Sequence, residues 1–322
     1  MNKIQELEKI YNEQLKGQLE EMEEERVKLR SKNITTNVLL AAAGILIATS
    51  FLVRSGAYSF VAMIFMVIVG IVKGLYVSEY KKFNKKFKEI VITKIVKLLG
   101  EDFTYKMYSG IARETFKESK LFLQGIDRYS AEDLVDGKVD KTEFIFSEIH
   151  AEYKTEHRDK DGHRHVSWHT IFKGLFFIAD FNKNFNGNTV VVPDNSTKLF
   201  GGASEFFQKL SFRGKLIKLE DVDFEREFVV YSDDEIESRY ILSSSLMERI
   251  LDFKNKTGKR IHMSFVNSKV FVAVPYSENL FEANLNKSLL EFDTIKDYYN
   301  DLIFAISIIE DLNLNTRIWD KQ

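Results

Sequence analysis

Imidazole is the side chain best suited to hold a transition metal or to move a proton near neutral pH. Five of the six histidines of this 322-residue chain fall in one stretch: His150, His157, His163, His165 and His169. The stretch reads as a β-hairpin. Ile145, Ile149, Ala151 and Tyr153 alternate as one apolar strand face, and Val166, Trp168, Phe172, Phe176 and Ile178 form the matching face of the second strand. That leaves His150, Glu152, Lys154 and Glu156 on the polar face of the first strand and His163, His165, Ser167 and His169 on that of the second, with Asp159 to Gly162 as the turn. A four-residue loop sets Glu156 opposite His165 and Glu152 opposite His169, whereas a two-residue Asp161-Gly162 turn sets Arg158 opposite His165 and Lys154 opposite His169. Charge complementarity favours the first register. Glu152 and Glu156 then lie about 13 Å apart, so the two pairs cannot share one ion. A divalent-metal site would have to be looser, built on His163 and His165 with a ligand from elsewhere; otherwise the face is solvated and carries pH-sensitive Glu–His pairs.

A second cluster, Asp233, Asp234, Glu237 and Arg239, follows a strand ending in Tyr231. Carboxylates at a strand end can bind a metal or serve as acid and base, but no nucleophile and no His-Glu metalloprotease pattern accompanies them. Their structural reading is a turn with Glu237 or Asp234 paired to Arg239. Asn182, Asn184, Asn186 and Gly187 copy the opening of a calcium loop, yet its twelfth position is Pro193, where a bidentate Glu is needed. A polar turn fits better. Gly201-Gly202 precedes a helical stretch without a phosphate-loop lysine and reads as a turn as well. The chain has no cysteine, which excludes disulfides, thiol catalysis and thiolate metal centres. Its net charge of −2 excludes a general nucleic-acid-binding polycation.

The elements around these residues begin with a membrane signal. Residues 33 to 72 carry one charge, Arg54. A helix from Asn33 to Val53 is about 31 Å long, the thickness of a bilayer's hydrocarbon, and Ser55 to Val72 gives about 27 Å, extended to Val77 if Lys73 snorkels. Gly56 tolerates a tight reversal and Arg54 belongs at the interface, so a transmembrane hairpin over 33–77 is predicted. A cleaved signal peptide is excluded by the charged 32-residue segment before it, and a buried hairpin would need a core able to cover two helices apolar all round. Arg26, Lys28, Arg30 and Lys32 flank the first span; Lys73, Lys81, Lys82, Lys85, Lys86 and Lys88 flank the second. Both termini are therefore expected in the cytoplasm, with lysines able to lie against anionic lipid headgroups.

Residues 1–32 form an amphipathic helix with Ile4, Leu7, Tyr11, Leu15, Leu19 and Met22 on one face. That stripe either pairs with a second chain or folds back on the Lys-rich segment, since fewer than four clean heptads do not fix a coiled coil. A helical connector is expected over 78–140, with helices at Ser78 to Leu99 and Tyr105 to Leu123. An α+β domain rich in antiparallel strands is expected over 141–322. Its helices are 203–210, 245–256 (a Ser245/Glu248 capping box, ended by Gly258) and 294–312, whose apolar face reads as core. The fold class is α+β.

The segment FVVYSDDEIESRYILSSSLMERIL (228–251) resembles the signature of an uncharacterised bacterial membrane-protein family, a domain of unknown function. Tyr231, Ser232, Asp233, Glu237, Arg239, Tyr240, Ile241 and Leu242 match its Tyr-Ser-Asp and Glu-Ala-Arg-Tyr-Ile-Leu pattern, and Ser238 replaces the alanine. FKGLFFIADFNK (172–183) and IHMSFVNSKVFVAVP (261–275) extend the resemblance over residues 35–312. It implies two transmembrane helices in the bacterial cytoplasmic membrane and assigns no catalytic residue. Sequence thus points to a membrane-anchored cytoplasmic interaction or ligand-sensing protein. Its expected partners are the lipid bilayer, a membrane or cytoplasmic protein, or a second copy, and no nucleic acid. The alternative is a metal-dependent hydrolase or metal sensor, and a transport subunit is weaker because the spans hold no charge.

Overall fold

A computed structural model describes residues 3–53, 56–159, 162–181, 183–194 and 214–314. The chain divides into two compact units. One comprises residues 1–98 with 281–300, the other residues 99–280 with 301–322.

The first unit is helical. Helix α1 (Lys3–Ile10) runs through one π-helical turn (Tyr11–Leu15) into α2 (Lys16–Val53); α3 (Gly56–Phe87) runs through another (Lys88–Ile92) into α4 (Thr93–Leu99). At 1.5 Å per residue α2 is about 57 Å long and α3 about 48 Å, so both exceed a bilayer's hydrocarbon. Two helical stretches, Lys3–Ser50 and Gly56–Leu99, are long and apolar enough to cross a membrane. Only 11% and 17% of their most apolar windows is buried, whereas a soluble core helix would be mostly covered. Lys73 Nζ donates to Asn37 Oδ1 at 3.2 Å and Thr49 Oγ1 meets Tyr58 OH at 2.8 Å, which ties the two helices together.

Beyond the apolar stretches the pairing turns ionic, with Lys32–Glu79 at 2.6 Å and Lys86–Glu25 at 3.1 Å. The amphipathic stripe is covered from within the chain. Leu7, Tyr11, Leu15, Leu19 and Met22 are buried, Tyr11 donates to Leu290 O at 2.7 Å, and its ring meets Phe292 at 5.5 Å. Of the two readings of the stripe, the one seen here is a fold-back, in which its cover comes from residues 281–300 as well as the Lys-rich helix. Glu23 anchors that segment: its carboxylate accepts from Leu289 N at 2.9 Å, Ser288 Oγ at 3.0 Å and the buried Arg26 at 2.8 and 2.9 Å. These donors, Arg26 first, hold the Glu23 carboxyl below its ordinary range.

Among the described residues, the second unit is a nine-stranded antiparallel sheet with helices. Its strands are β1 (Thr104–Lys106), β2 (Arg128–Val139), β3 (Thr142–Arg158), β4 (Arg164–Asp180), β5 (Asn188–Pro193), β6 (Lys215–Ile217), β7 (Phe228–Ser232), β8 (His262–Val266) and β9 (Lys269–Pro275). They lie in the order β1-β2-β3-β4-β9-β8-β5-β7-β6. The helices are α5 (Arg113–Glu118), α6 (Val222–Glu227), α7 (Glu235–Ile241), α8 (Ser244–Thr257) and α9 (Phe292–Asp311), the last shared between the units. Chain α+β architecture is thus as expected. One sheet face packs Ile149, Ala151, Phe172, Phe176, Phe271 and Ala273 against Phe116 and Leu121. Phe116 is the hub, its ring 5.0 Å from Phe176 and 5.2 Å from Phe122; truncating such a side chain to alanine costs about 3–5 kcal/mol.

Two details differ from the sequence-based expectation. The segment 78–140 is not a helical connector alone: it holds β1 and β2, and only Arg113–Glu118 is helical within Tyr105 to Leu123. Helix α8 starts at Ser244 with Ser243 as its N-cap and no side-chain cap bond, so the Ser245/Glu248 capping box does not form. Gly258 does end it, at φ 63°. The 203–210 helix and Gly201-Gly202 fall outside the described residues.

Candidate functional site: a polar ladder and its projecting ribbon

Strands β3 and β4 run together for far longer than their neighbours. β2 accompanies β3 only as far as Arg128↔Glu152, and β9 accompanies β4 only as far as Gly174↔Pro275. Residues 153–158 and 164–170 therefore form a two-stranded ribbon, with most of its positions exposed. At the ribbon's root the register shifts. Ala151 faces Phe172 but Glu152 faces Thr170, which leaves Ile171 as an extra residue that packs beside Phe172 on the core.

The bulge overturns the expected register. Glu156 faces Val166, not His165; Tyr153 faces His169; His157 faces His165; Lys154 faces Trp168; and Arg158 faces Arg164. Neither expected loop length applies, because the extra residue moves the second strand by one and exchanges its faces. Buried positions enforce pairing as far as Ala151, while the exposed ribbon has no core to select a register. His169 stacks on Tyr153 at 4.9 Å and its Nε2 lies 2.9 Å from Thr155 Oγ1. His165 Nε2 lies 3.2 Å from Asp159 Oδ2. His163 closes the turn through its backbone, its N–H donating to Asp159 Oδ1 at 2.8 Å and its carbonyl accepting from Asp159 N at 3.0 Å. Trp168, expected on the core face, lies on the other one, with the Arg128 guanidinium 3.5 Å above its ring. On that face Arg164, foremost, and Lys154 pair with Glu156 and lower its carboxyl pKa.

Down the same face runs a polar ladder three strands wide. Register sets Arg128 beside Glu152, Ser130 beside His150 and His150 beside Lys173, then Glu132 beside Glu148. An open groove of about 590 Å³ is lined by Arg113, Asp127, Arg128, Ser130, His150 and Glu152. A notch of about 30 Å³, room for a water or two, continues it past Glu132, Glu148, Lys173 and Glu278. Glu148 is buried and accepts from Leu280 N at 2.6 Å, and Lys173 donates to Ser277 O at 2.9 Å, so the loop after β9 closes the notch's end. Gly174 permits that closure. Its φ is +147°, and a Cβ there would meet Val274 O at 2.3 Å. Nearby, buried Asp133 accepts from the Tyr105 hydroxyl; burial, and then the Asp133 charge, push the Tyr105 pKa far up. Arg113 donates to Ile126 O, while its Nε is buried without a hydrogen-bond partner.

The ladder can exchange hydrogen bonds and protons with a polar ligand, and its mixed charges favour no simple ion. Sequence had placed His150, Glu152 and Lys154 together on a polar face. The contributions of Asp127, Ser130, Glu132, Lys173 and Glu278 come from strands and a loop that only the sheet brings together. No chain-local signal marks them, apart from Gly174 as a glycine inside a strand.

The acidic cluster is placed elsewhere and is fully engaged. Asp234 caps α7 by accepting from Glu237 N at 3.0 Å. Asp233 accepts from Asn188 N at 2.6 Å and Asn188 Nδ2 at 2.5 Å, and Glu237 accepts from Asn186 N at 2.9 Å and Gly187 N at 2.5 Å. The carboxylates thus clamp the loop entering β5, and Asn186 and Gly187, read as part of a polar turn, are held by their backbone. Arg239 pairs with Glu235 at 3.0 Å, one helical turn away, rather than with Asp234 or Glu237, and donates to Lys218 O at 2.8 Å. Ser238 is completely buried, and its hydroxyl donates to Glu235 O at 2.8 Å, which satisfies the serine where the resemblance has an alanine. Lys183 donates to Tyr240 O and Ile241 O at the other end of α7, where burial lowers its pKa.

His165 on β4 and Asp233 after β7 are separated by β9, β8 and β5, four strand spacings or about 19 Å. The two sequence-predicted clusters therefore do not meet at one metal. Among the described residues no three His, Asp or Glu side chains stand together at metal-binding distance.

Residues 170–314 match a family model described as "Protein of unknown function (DUF3137)". The match includes the 228–251 segment and leaves the apolar helices outside. No curated protein matches the chain. Among solved structures it is similar to the mycobacterial trehalose monomycolate transport factor A, TtfA, at 14% identity over 66% of this chain and 93% of that one, with a TM-score of 0.34. A likeness that loose carries no argument about this chain.

Proposed function

We propose that the chain is a bacterial membrane-anchored cytoplasmic interaction or ligand-sensing protein. In this reading residues 33–77 lie in the cytoplasmic membrane, both flanking arms face the cytoplasm, and the ladder and ribbon of the sheet domain present the recognition surface to a protein partner, a polar ligand or a second copy. The observation that carries it is the exposure of Ile45, Phe60, Val61, Met63, Val67, Ile68, Ile71 and Leu75 on the paired helices. So large an apolar surface is unstable in water and stable in lipid. The first ion pair between the two helices, Lys32–Glu79, lies outside the uncharged run and supports a hydrocarbon boundary on its apolar side.

Carbonate washing of vesicles holding the full chain tests the anchor, and proteolysis of intact spheroplasts tests the orientation. The expected result is retention in the pellet with the sheet domain protected until the membrane is breached. Release by carbonate, or digestion of the sheet domain from outside, overturns it.

A further inference from the structure

We propose a divalent transition-metal site at the tip of the ribbon, formed by His157, His165 and Asp159. The pairing that brings these side chains together is His157↔His165, which the bulge at Ile171 creates and which neither expected register contains. Residues directly opposite in an antiparallel pair have Cβ atoms about 4.5–5.5 Å apart on one face. Two imidazole nitrogens on a tetrahedral zinc ion lie about 3.4 Å apart, from zinc–nitrogen distances of about 2.0–2.1 Å. A facing histidine pair spans that gap by side-chain rotation alone.

Asp159 supplies the third ligand. Its Oδ2 is already 3.2 Å from His165 Nε2, and its Oδ1 is held by the backbone N–H of His163, which fixes the carboxylate from behind as a supporting hydrogen bond does in metal sites. Arg158 and Arg164 face each other on the opposite side of the ribbon, where Glu156 pairs with Arg164. Their side chains thus point away from the site. The described residues hold no preassembled trio of ligands, so the site closes on the ion: His157 turns toward His165, and the Asp159–His165 hydrogen bond gives way to two metal bonds. Two histidines and one carboxylate leave a water on zinc, as in open sites. The site stands or falls independently of the membrane anchor.

Zinc chloride titrated into the untagged full chain in detergent, in competition with a chromophoric chelator, tests it. One equivalent of zinc should bind, with affinity at least tenfold weaker in H157A and in H165A, and weaker in D159N. H150A and H169A should leave it unchanged. The cobalt-substituted parent should show visible absorption bands that vanish in H157A. The proposal is overturned if no stoichiometric zinc binds, if H157A or H165A binds as tightly as the parent, or if H169A weakens binding as much as they do. Unchanged circular dichroism of each variant confirms that the comparison is between folded proteins.

Discussion

Asp233 takes both the backbone and the side-chain N–H of Asn188, and the carboxylate four residues on, Glu237, takes the next two backbone N–H groups upstream. A charged pair that looked like acid–base machinery is therefore a fastening for the entrance to β5. D233N and E237Q should each lower the stability of the sheet domain by about 1.5–3 kcal/mol, the worth of hydrogen bonds to a charged group. Denaturant unfolding followed by tryptophan fluorescence measures this. A variant as stable as the parent would show the clamp to be idle.

Gly174 has a positive φ and backbone atoms where a Cβ would sit. G174A should cost about 3 kcal/mol or more, because strain and overpacking add at a site whose neighbours are main chain. Thermal unfolding of the variant reads the loss, and a shift of less than a degree or two would contradict the closeness of β4 to the loop after β9.

Glu23 is a stronger acid in the folded chain than in the unfolded one. Its stabilisation is complete above the ordinary carboxylate value of 4.5 and is lost as pH falls through its lower folded value. The E23Q variant lacks it at every pH. The gap in melting temperature between parent and E23Q should therefore be widest near neutrality and close toward pH 3, as followed by circular dichroism in detergent. A gap that stays constant across that range would exclude the ionised form as the stabilising one.

Trp168 lies on the exposed ribbon under Arg128. W168A should change stability by no more than about 1 kcal/mol, the worth of an exposed cation–π contact. F116A, in the core of the same domain, should cost about 3–5 kcal/mol. Comparable losses would mean that the ribbon is part of the core.

Periodicity made the sequence legible where one surface is buried. The alternation of Phe172, Phe176 and Ile178 located β4, and the stripe from Leu7 to Met22 located the first helical arm. The cover of that stripe by residues 281–290 was not legible, because an irregular segment has no period and its carbonyls at Leu285 and Leu290 carry no side-chain signature. β2 was missed because the register shift between Glu132 and Val135, with Asp133 at φ 58°, breaks its alternation in the middle. The acidic cluster was visible as residues but not as a clamp, since its partners are backbone N–H groups some 45 to 50 residues away.

One unpaired isoleucine decides which aromatic and ionisable groups share each surface of the ribbon. Were Ile171 to pair with Glu152 instead of bulging, the root pairing would run outward unchanged, set Arg158 against the imidazole that now confronts His157, and bring Lys154 to the one now resting on Tyr153. The tip would keep its composition and present a different chemistry, so the bulge, and not residue content, fixes which groups stand together there.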